Sequence, residues 1–299
     1  HRTGYKETDL VDYNTRNIKT NISFHFRTRP DKEYESPEFI ISSSYGTGTT
    51  VYQGDNRFSL RGIRFFQNRL EFRKTDKFFI RAYATNEDAG NSFDPYFTAL
   101  KMQEAAKDNN QWANDYERWW SSPALGYVYF GKMDPLGYPD VNDTLGLIQW
   151  LDTYGDSMIA WHAQAEAYAN QGNPLGSNPT KDFFEPGTAR FDSLFDAITS
   201  RKSNAQEGGT LFYDKSALYH LHGEYTFTPS FLDKWVVGAN GRMYRPNSDG
   251  TIFKDTSGVS ITNWEAGAYT GAERTFGKVK VSAALRLDKN QNFDLLATP

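Results

Sequence analysis

Two histidines and a glutamate lie at alternate positions near the end of the chain. The stretch Y-H-L-H-G-E-Y-T-F covers 219–227 and contains His220, His222 and Glu224. Alternate residues of a β-strand point to the same face, and imidazole with carboxylate is a ligand set that zinc accepts. The same spacing describes the polar half of a strand with nothing bound. We favour this second interpretation, because a metal needs a third well-placed ligand and Glu224 lies farther along the strand.

A dense group of aromatic residues is the second candidate site. Trp112, Tyr116, Trp119 and Trp120 fall at i, i+4, i+7 and i+8, a spacing that places them on one face of a helix. Such rings bind a sugar or another flat ligand when they are exposed. They form the core of a small subdomain when they are buried. We favour the core, and we keep the four residues as candidates for ligand binding.

The sequence gives little evidence that the protein catalyses a reaction. The many carboxylates show no pair whose spacing indicates acid–base catalysis. Asp134, Asp140 and Asp143 lack the D-x-D-x-D-G pattern of a calcium loop. The sequence contains no nucleophile elbow, phosphate-binding loop or H-E-x-x-H motif. We therefore predict that the protein is not an enzyme, and we predict no metal and no cofactor.

Composition excludes several classes of protein. The net charge of the 299 residues is −4, so no basic surface indicates a nucleic-acid partner. There is no cysteine, and hence neither a disulfide nor a thiolate metal site. No apolar run reaches the ~18 residues of a transmembrane helix. The mean hydropathy is −0.69 although 16% of the residues are aromatic, which is typical of strands with one aromatic and one polar face.

Alternation with period two predicts about eight strands. The clearest is V-K-V-S-A-A-L-R-L-D, in which Arg286 and Asp288 share the polar face. Arg242 has the equivalent place in W-V-V-G-A-N-G-R-M-Y. Gly62 indicates a bulge or kink in a long strand. The predicted strands are 21–28, 38–46, 57–73, 78–85, 217–228, 235–244, 261–273 and 279–288.

The predicted connections alternate in length along the chain. Short links are predicted at 29–36, 74–77, 228–234 and 275–278, and long ones at 46–56, 86–215 and 245–259. Short turns at one end and long loops at the other are the layout of an outer-membrane β-barrel.

The longest connection carries helical patterns of its own. They begin at Asp94-Pro95, run through 143–171 and recur at 188–198. We predict barrel strands in 1–85 and 216–299, separated by a partly helical insert, 86–215.

Several longer phrases resemble the barrel domain of TonB-dependent outer-membrane receptors, in the branch common in Bacteroidetes-type bacteria. They occur in the family's order and cover most of the chain, most weakly over 105–211. The phrases are Y-G-T-G-T-T-V-Y-Q-G-D-N-R-F-S-L (45–60), F-F-I-R-A-Y-A-T-N-E-D-A-G-N-S-F-D (78–94), F-Y-D-K-S-A-L-Y-H-L-H-G-E-Y-T-F (212–227), Y-R-P-N-S-D-G-T-I-F-K-D-T (244–256) and L-R-L-D-K-N-Q-N-F (285–293).

The resemblance implies import of a large solute across the bacterial outer membrane. Such receptors have 22-stranded barrels closed by a plug domain, take energy from the TonB complex, and import siderophores, cobalamin, glycans or peptides. The chain shows neither a plug nor a TonB box, so we expect it to be an internal fragment: an all-β, antiparallel transmembrane barrel segment with an extracellular insert.

The expected partners are outer-membrane lipid, the TonB complex through a plug domain outside this chain, the imported ligand and a surface lipoprotein. His220, His222, Glu224, Arg242, Arg286 and Asp288 would then line the barrel lumen. The alternative is a soluble β-rich carbohydrate-binding module or a glycan-acting enzyme, in which a second layer covers the apolar faces of the strands.

Overall fold

The main element of the computed structural model is an antiparallel sheet of nine strands. The structure describes residues 2–32, 34–53, 57–175, 179–256 and 258–299. Each strand pairs with the next one along the chain, and the sheet is open because β1 and β9 are not paired. The strands are β1 (Arg16–Arg27), β2 (Glu38–Gln53), β3 (Arg57–Lys74), β4 (Phe78–Asp88), β5 (Ala217–Phe227), β6 (Lys234–Arg245), β7 (Asn263–Phe276), β8 (Val279–Asn290) and β9 (Leu296–Thr298).

The eight predicted strands correspond to β1 to β8, because alternation over such lengths fixes both the element and its two faces. The bulge predicted at Gly62 is confirmed. Gly48 pairs with Ile63 and Thr50 with Leu60, so β3 carries an extra residue there. Gly62 itself has φ +62°, a left-handed conformation that glycine adopts without steric cost.

One predicted connection is wrong. The long link expected at 46–56 is largely strand, since β2 continues to Gln53 and pairs with both β1 and β3. The glycines and threonines of this stretch show no alternation of apolar and polar side chains, because glycine has no side chain. The sequence pattern therefore did not indicate a strand there. The other long connections, after β4 and after β6, leave from this same end of the sheet, where β1 begins.

The helices lie mainly in the connection between β4 and β5. They are α1 (Glu7–Leu10), α2 (Pro95–Ala106), α3 (Asn109–Ser121), α4 (Thr144–Ala169) and α5 (Ala189–Thr199), with a π-helix at Val128–Met133 and a 3₁₀ turn at Asp134–Leu136. Local signals explain several of the starts. α2 begins at proline, Asp108 and Gln111 form a capping box on α3, and Asp143 caps α4.

The chain divides into two compact units. The helical unit contains His1–Val11 and Pro95–Ile198, and the sheet unit contains Asp12–Asp94 and Thr199–Pro299. The core of the helical unit is built from Trp119, Trp120, Val128, Met133 and Ala165. The fold is therefore mostly antiparallel β-sheet with a smaller helical part.

Candidate functional site

The polar face of the sheet is a set of linked side chains rather than a row of independent ones. His220 lies directly opposite Tyr83 on β4 and Arg242 on β6. The Tyr83 hydroxyl is 2.7 Å from His220 Nδ1, and Arg242 Nε donates to the same nitrogen at 3.3 Å. Arg242 Nη1 also donates to Glu265 Oε1 at 3.0 Å. Four strands are thus joined through His220 and Arg242.

A second chain of hydrogen bonds contains the other two residues of the histidine stretch. His222 Nε2 lies 3.0 Å from the Tyr269 hydroxyl, which donates to Glu224 Oε2 at 2.6 Å. The Arg286 guanidinium lies over the Tyr269 ring, 5.8 Å from its centre. Arg286 also donates two hydrogen bonds to Asp288, at 2.6 and 2.7 Å, and one to Asn240 at 3.1 Å. All six residues predicted to share a polar face are therefore on it.

The histidine stretch has protein partners on the polar face, and its role as the lining of a barrel lumen stays a prediction. The two imidazole rings lie 6.0 Å apart, and the nitrogen that each directs at its neighbours already has a tyrosine partner. Among the residues that the structure describes, no group of three His, Asp or Glu side chains could hold a metal ion.

Two buried carboxylates on the same face, those of Glu38 and Glu71, were not predicted from the sequence pattern. The Glu71 side chain is 1% exposed, forms an ion pair with Arg69, and accepts from Arg81 Nε at 2.6 Å. Glu38 is 3.0 Å from His25 Nδ1 and 2.8 Å from Arg73 Nη2. A buried carboxylate is stable only when such partners compensate for its lost hydration.

The missed clusters follow from the register of the strands. Glu71 lies opposite Arg81, and Glu38 opposite Arg73. Arg69 and Glu71 are two residues apart in one strand, so the sequence alone is enough to place them on the same face. Glu38 and Glu71 are thus paired with cationic groups of their own and neighbouring strands, and these charge-assisted hydrogen bonds link β1 to β4 on this face.

The opposite face of the sheet is apolar and open to solvent. Ile22 and Leu221, each central in its strand, and Ile80 near the start of β4 are 55–57% exposed. The register places their neighbours in one continuous band from β1 to β8. Its large side chains are Ile18, Ile22, Phe24, Phe26, Phe39, Ile41, Phe66, Leu70, Phe72, Ile80, Tyr219, Leu221, Tyr225, Phe227, Trp235, Val237, Met243, Trp264, Val279, Val281, Leu285 and Leu287.

Aromatic rings concentrate at both borders of this band. At the end with the short turns, successive ring contacts of 4.5–6.3 Å link Phe72, Phe78, Tyr225, Phe227 and Trp235. At the other end Tyr45 packs on Phe66 at 4.9 Å. Phe72 lies six positions after Phe66 along β3, which is roughly 20 Å of extended strand.

The loop after β6 is held in part by the carboxylate of Asp255. Asp255 accepts hydrogen bonds from the Ser248 N–H and hydroxyl, at 2.5 and 2.6 Å, and from Gly250 N at 2.9 Å. Burial alone would raise the pKa of Asp255, but these hydrogen bonds outweigh it and lower the pKa to about 2. Lys202 Nζ anchors the same loop by donating to Asp249 at 2.6 Å. The turn predicted at 247–251 is thus a fixed part of the loop.

Of the four candidate aromatic residues of the insert, three lie in the interior of the helical unit and Tyr116 is partly buried. Trp112, Trp119 and Trp120 are 6–8% exposed. Tyr116 stacks on Trp112 at 5.2 Å, and its hydroxyl is 2.9 Å from His162 Nδ1. This packing agrees with the core interpretation, because little of the indole faces is open. Binding of a ligand by these four rings stays a prediction.

Comparisons with known proteins add no family to this description. No protein-family model matches the chain, and a search of curated proteins finds no match to it. Among the described helices, none combines the length and the apolar character needed to cross a membrane.

Proposed function

We propose that this chain forms part of the barrel wall of a TonB-dependent outer-membrane receptor that imports a large solute, such as a siderophore, glycan or peptide. The strands lie in the membrane, and the helical insert reaches outward and helps to capture the ligand. The polar face lines the barrel lumen. It includes His220, His222, Glu224, Arg242, Arg286 and Asp288. In this proposal the TonB complex acts through a plug domain outside the chain, and a surface lipoprotein is a further partner.

The observation that carries the proposal is the inverted distribution of apolar and charged side chains in the sheet. Glu71 is 2% exposed on one face, while Leu221 is 57% exposed on the other. Water-soluble proteins seldom expose an apolar patch larger than a few hundred Å². A bilayer favours this arrangement, because its core solvates apolar side chains and leaves polar groups to pair on the inner face of the wall.

Two further features support a membrane wall. Aromatic side chains border the apolar band at both ends, as in the interfacial girdles of outer-membrane barrels. The strands follow one another in sequence order, and the insert and the Asp255 loop leave from the same end of the sheet. Short turns at one end and long loops at the other are characteristic of these barrels.

The chain contains no cysteine, so it can carry a single introduced cysteine for a direct test in the full-length protein in lipid vesicles, with any cysteine outside this chain replaced by serine. Val281 and Ser282 are adjacent, exposed, and on opposite faces of β8. We expect a bimane dye on Val281→Cys to be quenched by lipids with doxyl-labelled acyl chains and shielded from iodide. The same dye on Ser282→Cys is expected to show the reverse.

Equal quenching of both dyes by iodide, with no effect of the doxyl lipids, would contradict the proposal. Shielding of Val281→Cys from iodide in protein that is fully soluble without detergent would favour the alternative. In that case a second protein layer covers the apolar face, as in a soluble carbohydrate-binding module.

A further inference from the structure

The helical unit contains an open cavity of about 690 Å³ that the proposed function does not use. Three segments form it: the N-terminal residues, the last two turns of α4 with the residues that follow, and the segment leading into α5. Its lining includes Tyr5, Asp9, Glu166, Asn170, Phe183 and Glu185. The volume is in the range of ordinary small-molecule sites.

A buried lysine fixes the wall formed by α4. Lys107 Nζ, on a side chain that is 2% exposed, donates to Asp115 at 2.5 Å and to the carbonyls of Ala169 and Gln171 at 2.8 and 2.7 Å. A cation at this position satisfies carbonyl groups that a helix end leaves without partners.

The neighbouring Asn170 is fixed as well. Its Oδ1 accepts from Trp112 Nε1 at 2.8 Å, and its carbonyl accepts from Phe183 N at 2.9 Å. These hydrogen bonds join the α4 side of the cavity to α3 and to the segment before α5.

Aromatic rings form another side of the cavity. Tyr5 stacks on Phe183 with ring centres 4.7 Å apart and an interplanar angle of 18°. Phe191 meets the Tyr5 ring edge-on at 5.6 Å. The faces of such rings carry partial negative charge and attract cations.

The charged groups of the lining are mostly acidic. Carboxylates come from Asp9, Glu166, Asp182 and Glu185, and cationic groups from Lys6 and Arg190, which leaves an excess of two negative charges (2 − 4 = −2). Arg190 is engaged locally, because it lies 3.8 Å from the Asp182 carboxylate and over the Phe184 ring. Glu166 is held in place by the Thr3 N–H at 3.2 Å.

We propose that this cavity binds a small organic cation, namely a primary ammonium group on an aliphatic chain. The ammonium group lies among the carboxylates of Glu166, Glu185 and Asp9, and the chain lies along the Tyr5–Phe183 stack. An anionic ligand would meet the excess of negative charge, and a neutral polyol would gain nothing from it. The site lies wholly within the helical unit and does not depend on whether the sheet spans a membrane.

Calorimetric titration of the full chain with 1,5-diaminopentane and with 1,5-pentanediol tests the proposal. The two molecules have the same length and differ in charge. We expect the diamine to bind at least tenfold more tightly than the diol, with an affinity that falls as salt rises from 0.05 to about 0.5 M. Glu166→Gln and Glu185→Gln are each expected to weaken diamine binding about five- to tenfold.

Glu104→Gln, at an exposed position of α2 outside the lining, is the matched control and is expected to leave binding unchanged. Equal binding of diamine and diol, or an equal loss with Glu104→Gln, would overturn the site. Circular dichroism of each variant separates loss of binding from loss of the fold. Failure here leaves the fluorescence test on β8 untouched, so the two proposals can fail independently.

Discussion

The helical unit and the sheet distribute their side chains in opposite ways. In the helical unit Trp119 and Trp120 are buried, and Glu104 and Glu117 are exposed. In the sheet Glu71 is buried, and Ile80 and Leu221 are exposed. The packed core of the helical unit has the distribution expected in water, although α4 also exposes Leu145, Ile148 and Ile159. The sheet has the reverse distribution, which is the one that the proposed membrane wall requires.

The largest effect is expected from removing a core indole of the helical unit. Trp119→Ala leaves a cavity beside Val128 and should lower the free energy of unfolding of this unit by about 3–5 kcal/mol. Hydrogen exchange of the α3 and α4 amides measures the loss. Leu145→Ala is the control, because Leu145 is 74% exposed and its removal should cost less than about 0.5 kcal/mol. Similar losses for both would mean that the unit has no packed core.

A charge on the apolar face of the sheet tests the other half of the comparison. Ile22→Arg should destabilise the protein in lipid bilayers by roughly 2–4 kcal/mol, the cost of a guanidinium near the membrane midplane. Ser23→Arg is the matched change at the next residue of β1, on the polar face, and should cost far less. Denaturant titration in vesicles measures both. If Ile22→Arg proves neutral, the face meets water.

The buried carboxylate of the polar face should show a smaller effect. Glu71→Gln keeps the shape of the side chain but leaves Arg69 and Arg81 beside a neutral group. We expect a loss of about 1.5–3 kcal/mol, the usual worth of hydrogen bonds to charged groups. Glu35→Gln removes a surface pair with Lys32 and should change stability by less than about 1 kcal/mol. Equal losses for the two variants would show that burial of Glu71 does not increase the contribution of its ion pairs to the free energy of unfolding.

The smallest effect concerns pH and the loop after β6. The lowered pKa of Asp255, about 2, means that its ionised form stabilises the fold. This contribution is complete above the unfolded pKa of ~3.9 and is lost as the pH falls toward 2. We expect about 1 kcal/mol, in the range of one net intramolecular hydrogen bond. Asp255→Asn should abolish this step between pH 4 and 2, as followed by hydrogen exchange of the Gly250 amide. A step that persists in the variant would assign it to another group.

Much of the sheet could be predicted from the sequence, because alternation identifies a strand and its two faces together. The stretch 279–288 shows this most clearly, and it lies within β8. The continuation of β2 through its glycines and threonines escaped prediction, since small residues give no alternating signal. The helix starts at Pro95 and after Asp143 were visible because capping residues act locally.

The site was only partly predictable. The spacing of His220, His222 and Glu224 is enough to place them on one face, but their partners lie far away in the chain. Tyr83 is 137 residues from His220, and Tyr269 is 47 residues from His222. Such pairs depend on which strands are neighbours and on their register, and neither is contained in the spacing of residues within one strand.

By itself the sequence determined the strands, their polar and apolar faces, and the presence of a helical insert, because these depend on the local period of side chains. Tertiary structure alone decided which charges meet. The register brought Arg81 to Glu71 and Arg242 to His220, and packing buried the indoles of the insert. Pairing across strands and burial both depend on contacts between distant segments, so they arise only when the chain has folded.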